Sequence, residues 1–213
     1  MVKNVKFLLV GALLVGLSPQ VHAALINAGG NVTETTSTFD TGLTGLGFSI
    51  AAVSDGVIPG GAGSNEFATV SSTHAQPVLV IDLGGNASGG NVGMNSAAFW
   101  NYAYRQADGT ATFSLKFATA AEGTGGFGTS ITYNPTFNPA AIAYDYAAPT
   151  QQNFAFSQTV AARYVELTLL TSYTGARTGM SEIQFNQVPI PEPASLGLAG
   201  IGTMTMLMAR RRR

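Results

Sequence analysis

The chain contains no cysteine among its 213 residues, which excludes disulfides, thiol nucleophiles and cysteine-ligated metal sites together. Its core must suffice to hold the fold. Histidine is nearly as scarce. His22 lies in an N-terminal segment considered below, leaving His74 alone, too few imidazoles for a multi-histidine zinc site or a Ser-His-Asp triad. His74 reads as an ordinary loop histidine. No G-x-S-x-G, Walker or H-E-x-x-H pattern occurs, and helical apolar periodicity is rare. Basic charge is thin as well: between Ala24 and Val188 only Arg105, Lys116, Arg163 and Arg177 are basic, against ten acidic residues, a net charge of −6. Phosphate binding depends on Lys/Arg neutralisation, so this balance argues against nucleic acid as a partner. Ten carboxylates could supply a glycosidase pair, but nothing in their spacing singles out two.

What is present is glycine, 26 residues of it, and a middle rich in Thr, Ser, Phe and Tyr. That composition favours an all-β domain with many tight turns over a helical bundle. Period-2 alternation supports this. In TATFSLKFA, Ala111, Phe113, Leu115 and Phe117 share one face while Thr112, Ser114 and Lys116 share the other, as a half-buried antiparallel strand requires. PVLVIDL repeats the pattern with Leu79, Ile81 and Leu83. Further strands are expected around 96–105, 153–158, 162–170 and 181–187, separated by clusters such as GGNASGGN and YNPTFNP. The stretch 31–47 is a Thr/Gly-rich lead-in, irregular or an edge. Many short strands without helices imply an antiparallel β-sandwich. Trp100, Tyr102 and Tyr104 alternate and so predict one strand face, which core packing explains more often than a sugar platform does.

The two ends carry addresses. Lys3 and Lys6, an apolar run from Phe7 to Leu17, and Val21-His22-Ala23 form a secretory signal peptide over residues 1–23, with cleavage expected before Ala24. At the other end, 194–209 is a mostly apolar stretch that as a helix reaches roughly 24 Å, slightly short of a bilayer core. Arg210, Arg211, Arg212 and Arg213 follow it and can snorkel to cytoplasmic headgroups, so the segment reads as a stop-transfer transmembrane helix. A buried core helix would not carry four terminal charges, and an exported chain meets little nucleic acid for a basic tail to bind. Between domain and span lies Pro189-Ile190-Pro191-Glu192-Pro193, whose three prolines forbid a helix beside the membrane.

Pro191-Glu192-Pro193, an apolar helix with Gly197, Gly200 and Gly202, and the Arg210–Arg213 cluster occur in the order and spacing of the PEP-CTERM sorting signal of Gram-negative bacteria, which residues 189–213 closely resemble. The resemblance implies processing by a membrane-embedded transpeptidase-like enzyme, the exosortase, in a cell producing exopolysaccharide. It also implies transient anchoring in the inner membrane before release to the cell surface or extracellular matrix. On that reading the motif is a substrate of another enzyme, and not an active site.

A second resemblance covers 24–188. Ser54-Asp55-Gly56, Val80-Ile81-Asp82-Leu83-Gly84, Phe99-Trp100-Asn101, Ala162-Arg163-Tyr164-Val165-Glu166-Leu167 and Ser181-Glu182-Ile183 follow the order of a discoidin or coagulation-factor type C domain. That fold is a galactose-binding-like jelly roll. The chain departs from the family in lacking its cysteine pair and the Trp often found before the IDLG strand, where His74-Ala75-Gln76-Pro77 stands. The resemblance implies a structural calcium held by hard oxygen ligands that include Asp55 and Glu182; a turn Asp before Gly56 and a surface Glu are the plain alternative. A jelly roll also presents ligand contacts in the loop SYTGARTG, making Tyr173 and Arg177 the candidate ligand-binding residues, neither placed to serve the core, with a solvent-facing turn as the alternative. The expectation is a non-catalytic surface protein that binds or is embedded in exopolysaccharide. A structural matrix protein without a specific ligand is the alternative, and a glycan-active enzyme a more distant one.

Overall fold

The computed structural model describes residues 24–60, 65–69, 76–127, 136 and 149–190. The signal peptide, His74, the sorting residues Pro191, Glu192, Pro193 and Arg210 to Arg213, and the span expected at 194–209 lie outside them. Among the described residues no helix is long and apolar enough to cross a membrane.

Among the described residues nine strands form two antiparallel sheets. In chain order they are β1 (Ala24–Ile26), β2 (Val32–Glu34), β3 (Phe67–Ala68), β4 (Val78–Asp82), β5 (Val92–Asn101), β6 (Thr110–Ala118), β7 (Gln151–Ala162), β8 (Tyr164–Ser172) and β9 (Gly179–Val188). The larger sheet runs β1-β9-β5-β7, with β3 also paired to β9, and the smaller runs β2-β4-β8-β6. The sandwich is all-β, as the alternation predicts. Phe113, Leu115 and Phe117 from β6, Leu79 and Ile81 from β4, and Val165, Leu167 and Leu169 from β8 point inward to meet Met94, Phe99, Ile183 and Phe185 of the larger sheet. Facing side chains of period-2 strands fill the space between two sheets in just this way. On the outer face Lys116 lies opposite Glu166 in register and bonds it at 2.8 Å.

Local chemistry fixes the turns. Asp82 accepts two bonds from the Arg163 guanidinium, both at 2.9 Å, and one from the Gly84 N–H at 2.8 Å. The ion pair and those bonds hold its carboxyl below the usual range. The same guanidinium reaches the Gly89 carbonyl at 3.0 Å, closing the turn between β4 and β5 onto the start of β8.

Two expectations need correction. The strand expected at 96–105 is β5 at Val92–Asn101, shifted because this strand is buried on both faces over much of its length and shows no polar alternation. Trp100, Tyr102 and Tyr104 therefore do not share a strand face. The register breaks between Trp100 and Asn101, where the ladder with β9 skips a residue, and the tyrosines belong to the connection that follows. The lead-in 31–47 supplies β2, an edge strand of the smaller sheet, and a 3-10 turn over Thr41–Leu46. β1 pairs with the last residues of β9, Ala24 opposite Gln187, so entry and exit of the domain share one end of the sandwich.

Candidate functional site

The opposite end gathers the connections that follow β5 and β8. Asn101 closes the first: its Oδ1 accepts from the Tyr102 N–H at 2.8 Å and the Thr110 N–H at 2.9 Å, while its Nδ2 donates to the Thr110 carbonyl at 2.7 Å. A buried amide with these bonds satisfied fixes the loop base. The two connections are then joined through backbone. Thr174 and Gly175 donate to the Ala107 carbonyl, at 3.1 and 2.7 Å, and Tyr173 donates to that of Gly109 at 3.3 Å. Gly175 is required at this crossing, since a Cβ there would collide with Asp108 Oδ1.

Arg177 ties a third segment in. Its Nη1 pairs with the Asp40 carboxylate and donates to the Thr69 carbonyl at 3.0 Å, and Asp40 caps the 3-10 turn by accepting from the Gly42 N–H at 3.0 Å. Beneath, the buried Glu66 carboxylate accepts from the Ala103 N–H at 2.8 Å and from Ser181 Oγ at 3.0 Å.

These contacts surround a cleft of about 240 Å³ floored by Phe48 and Tyr102 and walled by Leu43, Leu46, Tyr104, Arg105, Asp108 and Arg177. Tyr102 is buried, and burial raises its hydroxyl far above the ordinary phenol range. Tyr104 differs: it is 36 % exposed, with its ring tilted against that of Tyr102 at a centroid distance of 6.2 Å. Arg105 has a side chain 62 % exposed and, among the described residues, one long ion-pair contact, 3.6 Å, from Nε to Asp108. An aromatic face beside a guanidinium with donors to spare, over an apolar floor, is the chemistry that reads a sugar: stacking on its C–H face, hydrogen bonds to its hydroxyls.

Of the two residues read from the sequence as ligand contacts, Arg177 forms part of this cleft through its ion-paired side chain. Tyr173 faces elsewhere. It packs against the main core, its hydroxyl is buried without a hydrogen-bond partner among the described residues, and that burial pushes the phenol up to about 12. The expectation that Tyr173 does not serve the core is therefore incorrect. It borders a separate depression of about 270 Å³ along Leu170–Gly175. Tyr104 and Arg105 were missed because Tyr104 shares the alternation parity of Trp100; the signal available was the R-Q-A-D-G turn that starts immediately after it.

Asp55 and Glu182 do come together. Glu182 is fully buried on β9, and its oxygens accept from the Asp55 N–H at 3.2 Å and the Gly56 N–H at 3.0 Å. Burial, followed by the charge of Asp55, pushes its carboxyl up to about 8. No ion pair among the described residues includes either carboxylate. The two carboxylates, from positions 127 apart, are hard-oxygen donors of the kind calcium takes, and Asp55 Oδ1 already accepts from the Val57 N–H at 2.8 Å and Asn65 Nδ2 at 3.1 Å. No cluster of three or more His, Cys, Asp or Glu side chains occurs among the described residues, so further ligands would be carbonyl oxygens or water.

Residues 189–213 match the family model of the PEP-CTERM protein-sorting motif. No curated protein matches the chain. Solved structures do. A family 32 carbohydrate-binding module from Clostridium perfringens in complex with GalNAc-β-1,3-galactose aligns with TM-score 0.55 at 13 % identity, over 76 % of this chain and 99 % of its own. A second such module, from a family 31 glycoside hydrolase of the same organism, gives 0.53 at 13 %, over 77 % and 95 %. A fucose-binding module of Streptococcus pneumoniae gives 0.50 at 14 %, over 77 % and 96 %. At these identities the likeness is one of fold, and that fold is the galactose-binding-like sandwich.

Proposed function

We propose that the chain is an exported, exosortase-sorted surface protein whose sandwich binds exopolysaccharide without turning it over. The observation that carries this is that the exposed Tyr104 and Arg105 line one cleft, in which the lining carboxylate Asp108 and the nearby Asp40 are already engaged. Asp40 is paired with Arg177, and Asp108 accepts from the Arg177 N–H at 3.4 Å, which suits holding a sugar more than protonating one. Arg177 builds the wall and positions the loops. Tyr173 is scaffold. The sorting motif supports delivery to the surface, and the fold it shares with carbohydrate-binding modules supports a glycan as ligand. Calcium at Asp55 and Glu182 would serve as a structural ion that fixes the Asp55–Gly56 turn to β9.

Calorimetric titration with exopolysaccharide purified from the producing cells tests this. Tyr104→Ala and Arg105→Ala should each weaken binding by about 1–2 kcal/mol, as loss of an aromatic or guanidinium contact does, with melting temperatures nearly unchanged. Normal binding by both variants would move the site elsewhere. If the wild-type domain binds no polysaccharide saturably, a matrix protein without a specific ligand becomes the better reading.

A further inference from the structure

The segment leaving β9 turns back onto the domain. Val92 and Met94 point into the core, so Gly93 between them opens on the outer face of the larger sheet. There a Cβ would collide with the Val188 carbonyl oxygen and come within 3.0 Å of Ile190 Cγ1 and 3.2 Å of the Ile190 nitrogen. Only a residue without a side chain lets the chain cross the strand so closely. Ile190 is the second residue of the segment matching the sorting motif, which therefore begins as part of the sandwich.

Beyond this seat the connection is short. Only Pro191, Glu192 and Pro193 separate Ile190 from the apolar stretch at Ala194, and four residue steps reach at most about 14 Å in any conformation. The same end of the sandwich carries Leu25, 43 % exposed, and Ile190, 38 % exposed, the former on β1 opposite Asn186. The cleft lies past the far end of β5, and the eight residue steps from Gly93 to Asn101 span roughly 26 Å at the strand rise.

From the seat at Gly93 and the short connection, with Leu25 and Ile190 among the exposed apolar side chains, we infer that this end of the sandwich is a membrane-contact surface. While the tail is anchored, Leu25 and Ile190 rest in the lipid headgroup layer and the Tyr104 cleft faces away from the bilayer. The inference rests on the tail being membrane-inserted and is independent of what the cleft binds.

The chain has no native cysteine, so Gln187→Cys and Thr174→Cys place single fluorophores at the near and far ends. With the full chain in phosphatidylethanolamine/phosphatidylglycerol vesicles containing headgroup spin-labelled lipid, quenching should be about five-fold or more stronger at 187 than at 174. A flexible Gly/Ser insertion of about a dozen residues between Ile190 and Pro191 should erase that difference, and the pair Leu25→Ser with Ile190→Ser should reduce it. If the chain fails to float with vesicles, the inserted-tail reading falls and this surface with it. If it floats and both positions are quenched alike, the contact surface alone is wrong.

Discussion

At the scale of single residues, the most consequential group is Glu182. Its carboxyl, ordinarily near 4.5, is pushed up to about 8, first by burial and then by the charge of Asp55. Between those values the folded protein retains a proton that the unfolded chain has released, so stability falls as pH rises through that window and levels off above it. Thermal melts in chelator should therefore show a melting temperature that declines from about pH 5 to about pH 8, and Glu182→Gln should flatten the slope. Calcium, bound only by the folded state and only by ionised carboxylates, should raise the melting temperature more at the higher pH; no calcium shift at either pH would remove the ion. Tyr173 offers a converse test. Its buried hydroxyl has no partner among the described residues, and an unsatisfied buried polar group costs about 1–3 kcal/mol, so Tyr173→Phe should leave stability unchanged or raise it by about 1 kcal/mol in urea titrations. A drop would mean that the hydroxyl is bonded. The carboxylate pair was legible in the sequence through its place in S-D-G and S-E-I, whereas the role of Tyr173 was not, because its neighbours in the loop are polar and the core it touches is distant in sequence.

At the scale of elements, the two sheets are closed along one side by aromatic contacts between edge strands. Phe113 of β6 meets Phe154 of β7 edge-to-face at 5.1 Å, and Phe117 meets Phe156 at 5.3 Å. Such pairs contribute about 0.5–1.5 kcal/mol beyond area burial, and a double-mutant cycle on Phe113→Ala and Phe154→Ala should find a coupling of that size. Phe113→Ala alone, at a fully buried position, should cost about 3–5 kcal/mol; additive losses would show that the Phe113–Phe154 contact adds nothing to the hold on β7. That ladder is itself irregular: Ser96 pairs with Ala155 but Met94 with Val160, leaving Phe156 to Thr159 opposite the single residue Asn95. Of the strands with one wet face, β4 and β6 match the sequence reading nearly to the residue, and β8 lies two residues beyond the expected 162–170. β5 was displaced because it is buried on both faces, and the bulge at Trp100/Asn101 left no trace in the alternation, which is why the cleft residues beyond it were hidden.

At the scale of the whole molecule, the sequence described addresses at both ends of the chain, and the domain brings those ends together. Intact mass on protein recovered from the cell surface should show a chain beginning at Ala24 and lacking its apolar tail, since each end carries its own processing signature; a product retaining Met204 to Arg213 would indicate a permanent span. The sheet order has a further effect on how such a chain is made. β9, the last strand, sits between β1 and β5, so the larger sheet has no middle until residue 188 has crossed the membrane. During secretion, with the N-terminus leading, β1 and β5 wait as two unfilled edges for a strand that arrives last. On the proposed route of secretion, completion of the larger sheet therefore waits for β9, the last strand to emerge. In that interval the slot is open to the final strand of a neighbouring chain only in competition with the tethered β9, whose effective concentration favours its own sheet.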